Sequence, residues 1–173
     1  IILEDAGAQT INLSGISAGA ADESGQLLTL IAINDSPTLL TGMSLSYAPG
    51  SATGTLVYRP APDATGTAMI RVRVQDSGGT ANGAIDLVEQ AILVHITPVN
   101  DAPDFTLGPN QIASSRIGPQ QIANWARGFT PGPADESNQM LLGYTIVSTS
   151  NPAIFAVLPV IDATGRLTYT PAP

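Results

Sequence analysis

TGTLVYRPAP, residues 53–62, returns 111 positions later as TGRLTYTPAP, residues 164–173. In each copy a Leu and a Tyr stand two apart, Leu56 and Tyr58 or Leu167 and Tyr169, the period at which a β-strand turns side chains to one face. A second block behaves the same way: ADES at 21–24 with Gln26 just beyond it, and ADES at 134–137 with Gln139, 113 positions apart. Two blocks in one order at nearly one offset mean a tandem repeat of about 110 residues, too long for a solenoid unit and the size of one β-sandwich domain.

Outward from these blocks the chain reads as strands. Residues 67–75 (TAMIRVRVQ) alternate most cleanly, with Ile70, Val72 and Val74 on one face and Arg71, Arg73 and Gln75 on the other. Residues 91–97 (AILVHIT) place Ile92, Val94 and Ile96 inward and His95 and Thr97 outward. Residues 9–16 form a strand, and a weaker one lies near 43–47. The run 27–33 (LLTLIAI), bounded by Asn34 to Pro37, has the length of a buried strand and is too short for a helix. Residues 17–26 and 76–83 are small, acidic or glycine-rich and read as turns. The fold class is all-β.

Between the copies stands TPVNDAP, residues 97–103, whose prolines 98 and 103 forbid helix and stiffen the backbone. It divides the chain into a first repeat, 1–100, and a second, 101–173. The first lacks a counterpart of 104–111. The second lacks counterparts of 67–75 and 91–97, so the phase predicts a piece of a longer array, cut mid-repeat at both ends.

Composition narrows the partners. All six basic residues are arginine, against fourteen acids, for a net charge of −8. Phosphate backbones and anionic lipid would be repelled, which argues against nucleic-acid partners and membrane association. No apolar run approaches the roughly 20 residues of a spanning helix. There is no cysteine, hence no disulfide, thiolate metal site or cysteine nucleophile. His95 has no catalytic companions, no phosphate loop or nucleophile elbow occurs, and the chain reads as non-enzymatic. Arg71 and Arg73 read as a solvated strand face that also guards an edge, and Trp125 as a packing residue.

The set EDAG, GISAG with ADESGQ, TGTLVYRPAPDATGTA, QDSGGTANG and VHITPVNDAP resembles the tandem cadherin-like or immunoglobulin-like repeats of large bacterial surface and secreted proteins. The resemblance covers essentially the whole chain. It implies tandem seven-stranded Greek-key sandwiches, the second incomplete, an extracellular or cell-surface location, and, in the cadherin-like branch, calcium between successive domains. In such a sandwich the loop after the first strand, the loop after the fifth and the end of the last strand share one pole. That gathers Asp22, Glu23, Asp63, Asn100 and Asp101, with Asp104 just beyond, as candidate calcium ligands; the alternative is that these residues cap turns. Glu4, Asp5 and Asp76 are expected at the opposite pole, and 111 positions on, Glu4 and Asp5 become Ser115 and Arg116.

The function implied is a stalk, adhesin spacer or filament element whose partners are neighbouring repeats of the same protein. Two alternatives stand beside it. One is a carbohydrate- or protein-binding accessory module of a secreted enzyme. The other is a filament subunit in which neighbouring copies complete one another by strand addition.

Overall fold

The computed structural model describes residues 1–81, 85–115 and 117–173. Asn82 and Gly83 of the expected turn, and Arg116, lie outside the described residues. The chain is all-β and sandwich-like, and divides into two compact units, Ile1–Val99 and Asn100–Pro173.

Unit 1 contains β1 (Ile2–Leu3), β2 (Gln9–Ser14), β3 (Leu28–Asn34), β4 (Leu40–Tyr47), β5 (Thr53–Pro60), β6 (Gly66–Asp76) and β7 (Leu87–Thr97). They form two sheets, in the orders β1-β7-β6-β3 and β2-β5-β4. The alternation of β6 and β7 decides the interior: Ala68, Ile70, Val72, Val94 and Ile96 from one sheet meet Leu40, Leu56 and Tyr58 from the other. Burying side chains of this size stabilises by roughly 1.5–3 kcal/mol each, which makes this cluster the source of the unit's cohesion. On the outer face of β6, Arg71 pairs with Asp35 and Glu89, and Arg73 with Glu89.

The run LLTLIAI differs from expectation. β3 is an edge strand, none of its residues is buried, and Ile31 is 46% exposed. Leu28, Leu30 and Ala32 lean inward while Thr29 and Ile31 face out, so a continuous apolar run was no sign of burial on both faces.

Unit 2 contains β8 (Asp104–Leu107), β9 (Gln120–Ile122), β10 (Ala126–Thr130), β11 (Phe155–Ile161) and β12 (Leu167–Pro171), in sheets ordered β10-β8 and β11-β12-β9. The register of the second sheet is that of β2 and β5 moved along the chain. Gln9 faces Tyr58 and Ile11 faces Leu56; 111 positions on, Gln120 faces Tyr169 and Ile122 faces Leu167. The turn before each Leu-x-Tyr is closed alike, by Ser51 Oγ on the Thr53 N–H and by Asp162 Oδ1 on the Thr164 N–H. Unit 2 has a thin interior, in which Ala126, Leu167 and Tyr169 are the buried hydrophobics among the described residues. Phe155 meets the Tyr169 ring edge-on at 5.8 Å.

Candidate functional site

The two ends of unit 1 are set by strand pairing. β1 runs parallel to β7, Ile2 beside Ile96 and Leu3 beside Thr97, so both strands leave the sheet at one end. There the Glu4 N–H donates to Thr97 O at 3.1 Å, and the Glu4 carboxylate accepts the Val99 N–H at 2.6 Å. Glu4 is 1% exposed. The sequence placed Glu4 and Asp5 at the opposite pole; parallel pairing, which alternation cannot reveal, brings them to the Val99 end. Gly66 faces Ile96, so the β5–β6 loop with Asp63 lies at this end too. Asp63 is exposed, and its backbone is left-handed at φ 53°.

Asp22 and Glu23 lie at the other end of the unit. Leu28 faces Asp76 where β6 finishes, and the Leu27 N–H donates to Ser77 Oγ. The 11 residues of β6 separate the two ends by roughly 30 Å at about 3.3 Å per residue. No ion can be shared between Asp22 or Glu23 and Asp63. The expected common pole is therefore corrected: the β2–β3 loop opens at the end where β6 finishes, and only Asp63 of these three lies at the Val99 end.

The repeated ADES forms the same short 3-10 turn twice, Ala21–Glu23 and Ala134–Glu136. In each, the Ser N–H reaches the Ala carbonyl and the Gln N–H the Glu carbonyl. In each, the glutamate folds over a glycine four residues earlier: a Cβ on Gly19 would lie 2.3 Å from Glu23 Oε2, and one on Gly132 1.8 Å from Glu136 Oε2. One substitution separates the copies. Glu23 Oε2 accepts the Ala20 N–H at 3.0 Å, but the counterpart of Ala20 is Pro133, which has none. The Glu136 carboxylate is released from its own turn, and Oε1 accepts the Asp101 N–H at 2.7 Å. Glu136 is 5% exposed.

Unit 2 thus brings the Asp101 backbone to the Glu136 carboxylate, with Glu136 buried and Asp101 half-buried. Asp101 Oδ2 and Glu136 Oε2 are out of solvent, and Glu136 Oε2 has no hydrogen-bond partner. A buried ionised carboxylate is costly without a proton, a donor or a cation. The unpartnered Glu136 oxygen fits a hard cation such as calcium, which takes oxygens alone. Asn100 turns its amide inward on the unit, Nδ2 donating to Asp101 O and Oδ1 accepting from Gln139 Nε2. Asp104 is exposed and accepts the Phe105 N–H. Among the described residues no group of three or more His, Asp or Glu side chains gathers as a metal cluster, so further calcium oxygens would come from backbone or water. Sequence reasoning missed Glu136; the signal was Pro133 in a turn otherwise repeated.

The other titratable groups serve the fold. The Arg71 guanidinium holds the Asp35 carboxyl below its ordinary range, and Arg73, then Arg71, do the same for Glu89. The Thr164 hydroxyl, then the Arg166 N–H, lower Asp162 to about 2. Burial pushes the Tyr58 phenol up. His95 Nδ1 is 2.9 Å from the Thr67 hydroxyl on an exposed face, and the Trp125 indole N–H donates to Pro109 O. An apolar cleft of about 760 Å³ opens between the sheets of unit 1 at the Glu23 end, with Glu23, Asp76 and Asp86 among its lining. No helix of the described residues is long and apolar enough to cross a membrane.

No protein-family model, curated protein or solved structure matches the chain.

Proposed function

We propose that the chain is a pair of tandem Greek-key sandwich repeats of the cadherin-like or immunoglobulin-like kind, non-enzymatic, serving as a stalk, adhesin spacer or filament element of an extracellular bacterial protein. The observation that carries this reading is the shared register, Gln9 with Tyr58 and Gln120 with Tyr169, on sheets of the same strand order. Two ladders in matching register 111 residues apart, six pairings in unit 1 and three in unit 2, each introduced by a side-chain-capped turn, are what repetition of one domain produces. A spacer needs defined ends more than a cleft. The segment at Pro98 to Pro103 supplies one, with its Val99 N–H taken by Glu4 in unit 1 and its Asp101 N–H taken by Glu136 in unit 2.

Calcium is part of the proposal, held in unit 2 by Asp101 and Glu136. When bound, the ion would supply positive charge at the buried Glu136 carboxylate, beside Asp101. At ten times a dissociation constant near 10⁻⁴ M, as in extracellular modules, it would add about 1.4 kcal/mol to unit 2. Melting the chain in millimolar calcium and again in chelator tests this: a rise in the transition of unit 2 is expected, and no shift in any transition sinks the calcium clause. Extracellular location is tested separately, by surface labelling of the host cells.

A further inference from the structure

Among the described residues β3 is the longest edge strand of unbroken register, and it is left unguarded. Its seven residues pair with β6 from Leu28 facing Asp76 to Asn34 facing Ile70 without a shift. The Asp35 N–H donates to Met69 O, which sets the phase of that ladder. Thr29, Ile31 and Ile33 turn their backbone groups to β6, and Leu28, Leu30, Ala32 and Asn34 turn theirs to the open side, where no strand pairs with them.

Sheet edges are normally blunted by charge, proline, a bulge or shortness. β4 has a bulge between Thr41 and Ser44, and β1 has two residues. β3 has none of these devices: residues 27–34 contain no charge and no proline, and Leu27 and Ile31 are 71% and 46% exposed. Arg71 and Arg73, expected to guard an edge, stand on central β6 and are held by Asp35 and Glu89. Nor does the repeat proposed above bring a further strand here. The segment unit 1 lacks is the counterpart of β8, and β8 pairs with β10, whose counterpart is residues 15–19, after β2 in the other sheet.

The strand itself indicates its occupant. Turned about a two-fold axis through Ile31, a second copy of β3 runs antiparallel to the first with the open groups in register. Leu30 then exchanges main-chain hydrogen bonds with Ala32 of the second copy, and Leu28 with Asn34. The inner face sets large Leu30 against small Ala32, and the outer face sets Thr29 against Ile33 and Ile31 against its own mate, β-branched pairs that suit an antiparallel ladder. A foreign strand would have to bring that pattern; a second copy has it by symmetry. Net charge of −8 sets copies against each other, but contact through an uncharged strand places no like charges opposite one another.

We propose that two copies of the chain join edge to edge through β3, antiparallel about an axis at Ile31, so that their β1-β7-β6-β3 sheets continue as one and their Val99 ends point opposite ways. This gives the adhesin or filament reading a partner, an oppositely directed copy. The contact is small, so the dimer is weak and the dilute chain is monomeric.

Sedimentation of the whole chain should show monomer at about 10 µM and dimer emerging toward about 1 mM. The axis is located by disulfide trapping, for which a chain without cysteine is suited. Ile31 and its mate would form a narrow pair, about 4.5 Å between Cα atoms and within disulfide reach. Ile31→Cys should cross-link on oxidation, Thr29→Cys about tenfold more slowly, and Thr29→Cys mixed with Ile33→Cys as readily as Ile31→Cys. Ala32→Pro removes an N–H that β6 does not use, so unit 1 should keep hydrogen-exchange protection in β6 and β7 and stay monomeric at about 1 mM. If that variant loses protection, Ile31→Lys, altered only on the outer face, is read in its place. A parent chain still monomeric at about 1 mM overturns the proposal. So do equal cross-linking of Ile31→Cys and Thr29→Cys, and a dimer that persists in the folded variant. Each of these results depends on unit 1 alone and leaves the matching registers of the two units, on which the repeat reading stands, untouched.

Discussion

Glu136→Gln keeps an acceptor for the Asp101 N–H and removes the charge beside Asp101, whereas Glu136→Ala removes both. If the pair holds calcium, the glutamine variant melts at the same temperature in calcium and in chelator, and the alanine variant melts lower in both by the cost of an unmet buried donor, about 1–3 kcal/mol. A glutamine variant that keeps the full calcium shift would put the ion elsewhere. Gly165 tests packing at the same scale. Its φ is 78°, and an added Cβ would lie 1.9 Å from the Ala126 carbonyl oxygen. Gly165→Ala should therefore cost several kcal/mol in unit 2 and leave the unit 1 transition in place. Asp162 gives a pH prediction. Its folded pKa, about 2, is below the ordinary carboxylate value near 3.9, so its contribution is fully present above about pH 4 and is lost as pH falls toward 2. Asp35 and Glu89 are lowered too and act with the same sign in unit 1. Asp162→Asn should flatten the acid limb of unit 2, followed by circular dichroism between pH 4 and pH 2.

Strands behave according to their neighbours more than their composition. Ile70 in central β6 is fully buried, and Ile31 in edge β3 is 46% exposed. Denaturant unfolding should find Ile70→Ala costing about 2–5 kcal/mol and Ile31→Thr less than about 1 kcal/mol. Equal losses would mean β3 is covered in solution. Period-2 alternation made β6 and β7 legible residue by residue, since a half-wet strand writes its burial into its sequence. β3 read as buried because an apolar run carries no mark of which face it turns to a neighbour. The ends of the strands were legible less often. Asp63 was placed correctly beside the Val99 end, but Asp22, Glu23, Glu4 and Asp5 were not, because pole assignment depends on pairing partners and on the parallel β1, which are long-range facts. In the candidate site, Asp101 was visible in its motif. Glu136 was hidden in a block whose repetition suggested sameness, when Pro133 had changed its hydrogen-bonding.

At the level of the molecule, two units with separate interiors should unfold in two calorimetric transitions, the larger belonging to unit 1 with its eight-residue buried cluster. A single transition with equal calorimetric and van't Hoff enthalpies would mean the units stabilise one another. The parallel β1–β7 pair has a further consequence when the chain is loaded. Tension drawing Ile1 and Val99 apart along the strand direction would act on the Ile2 and Leu3 pairings in shear, so they would have to break together rather than peel one after another. The Glu4 carboxylate on the Val99 N–H is loaded along the same line and would serve as a latch against extension. Single-molecule pulling should find that Glu4→Ala lowers the rupture force of unit 1.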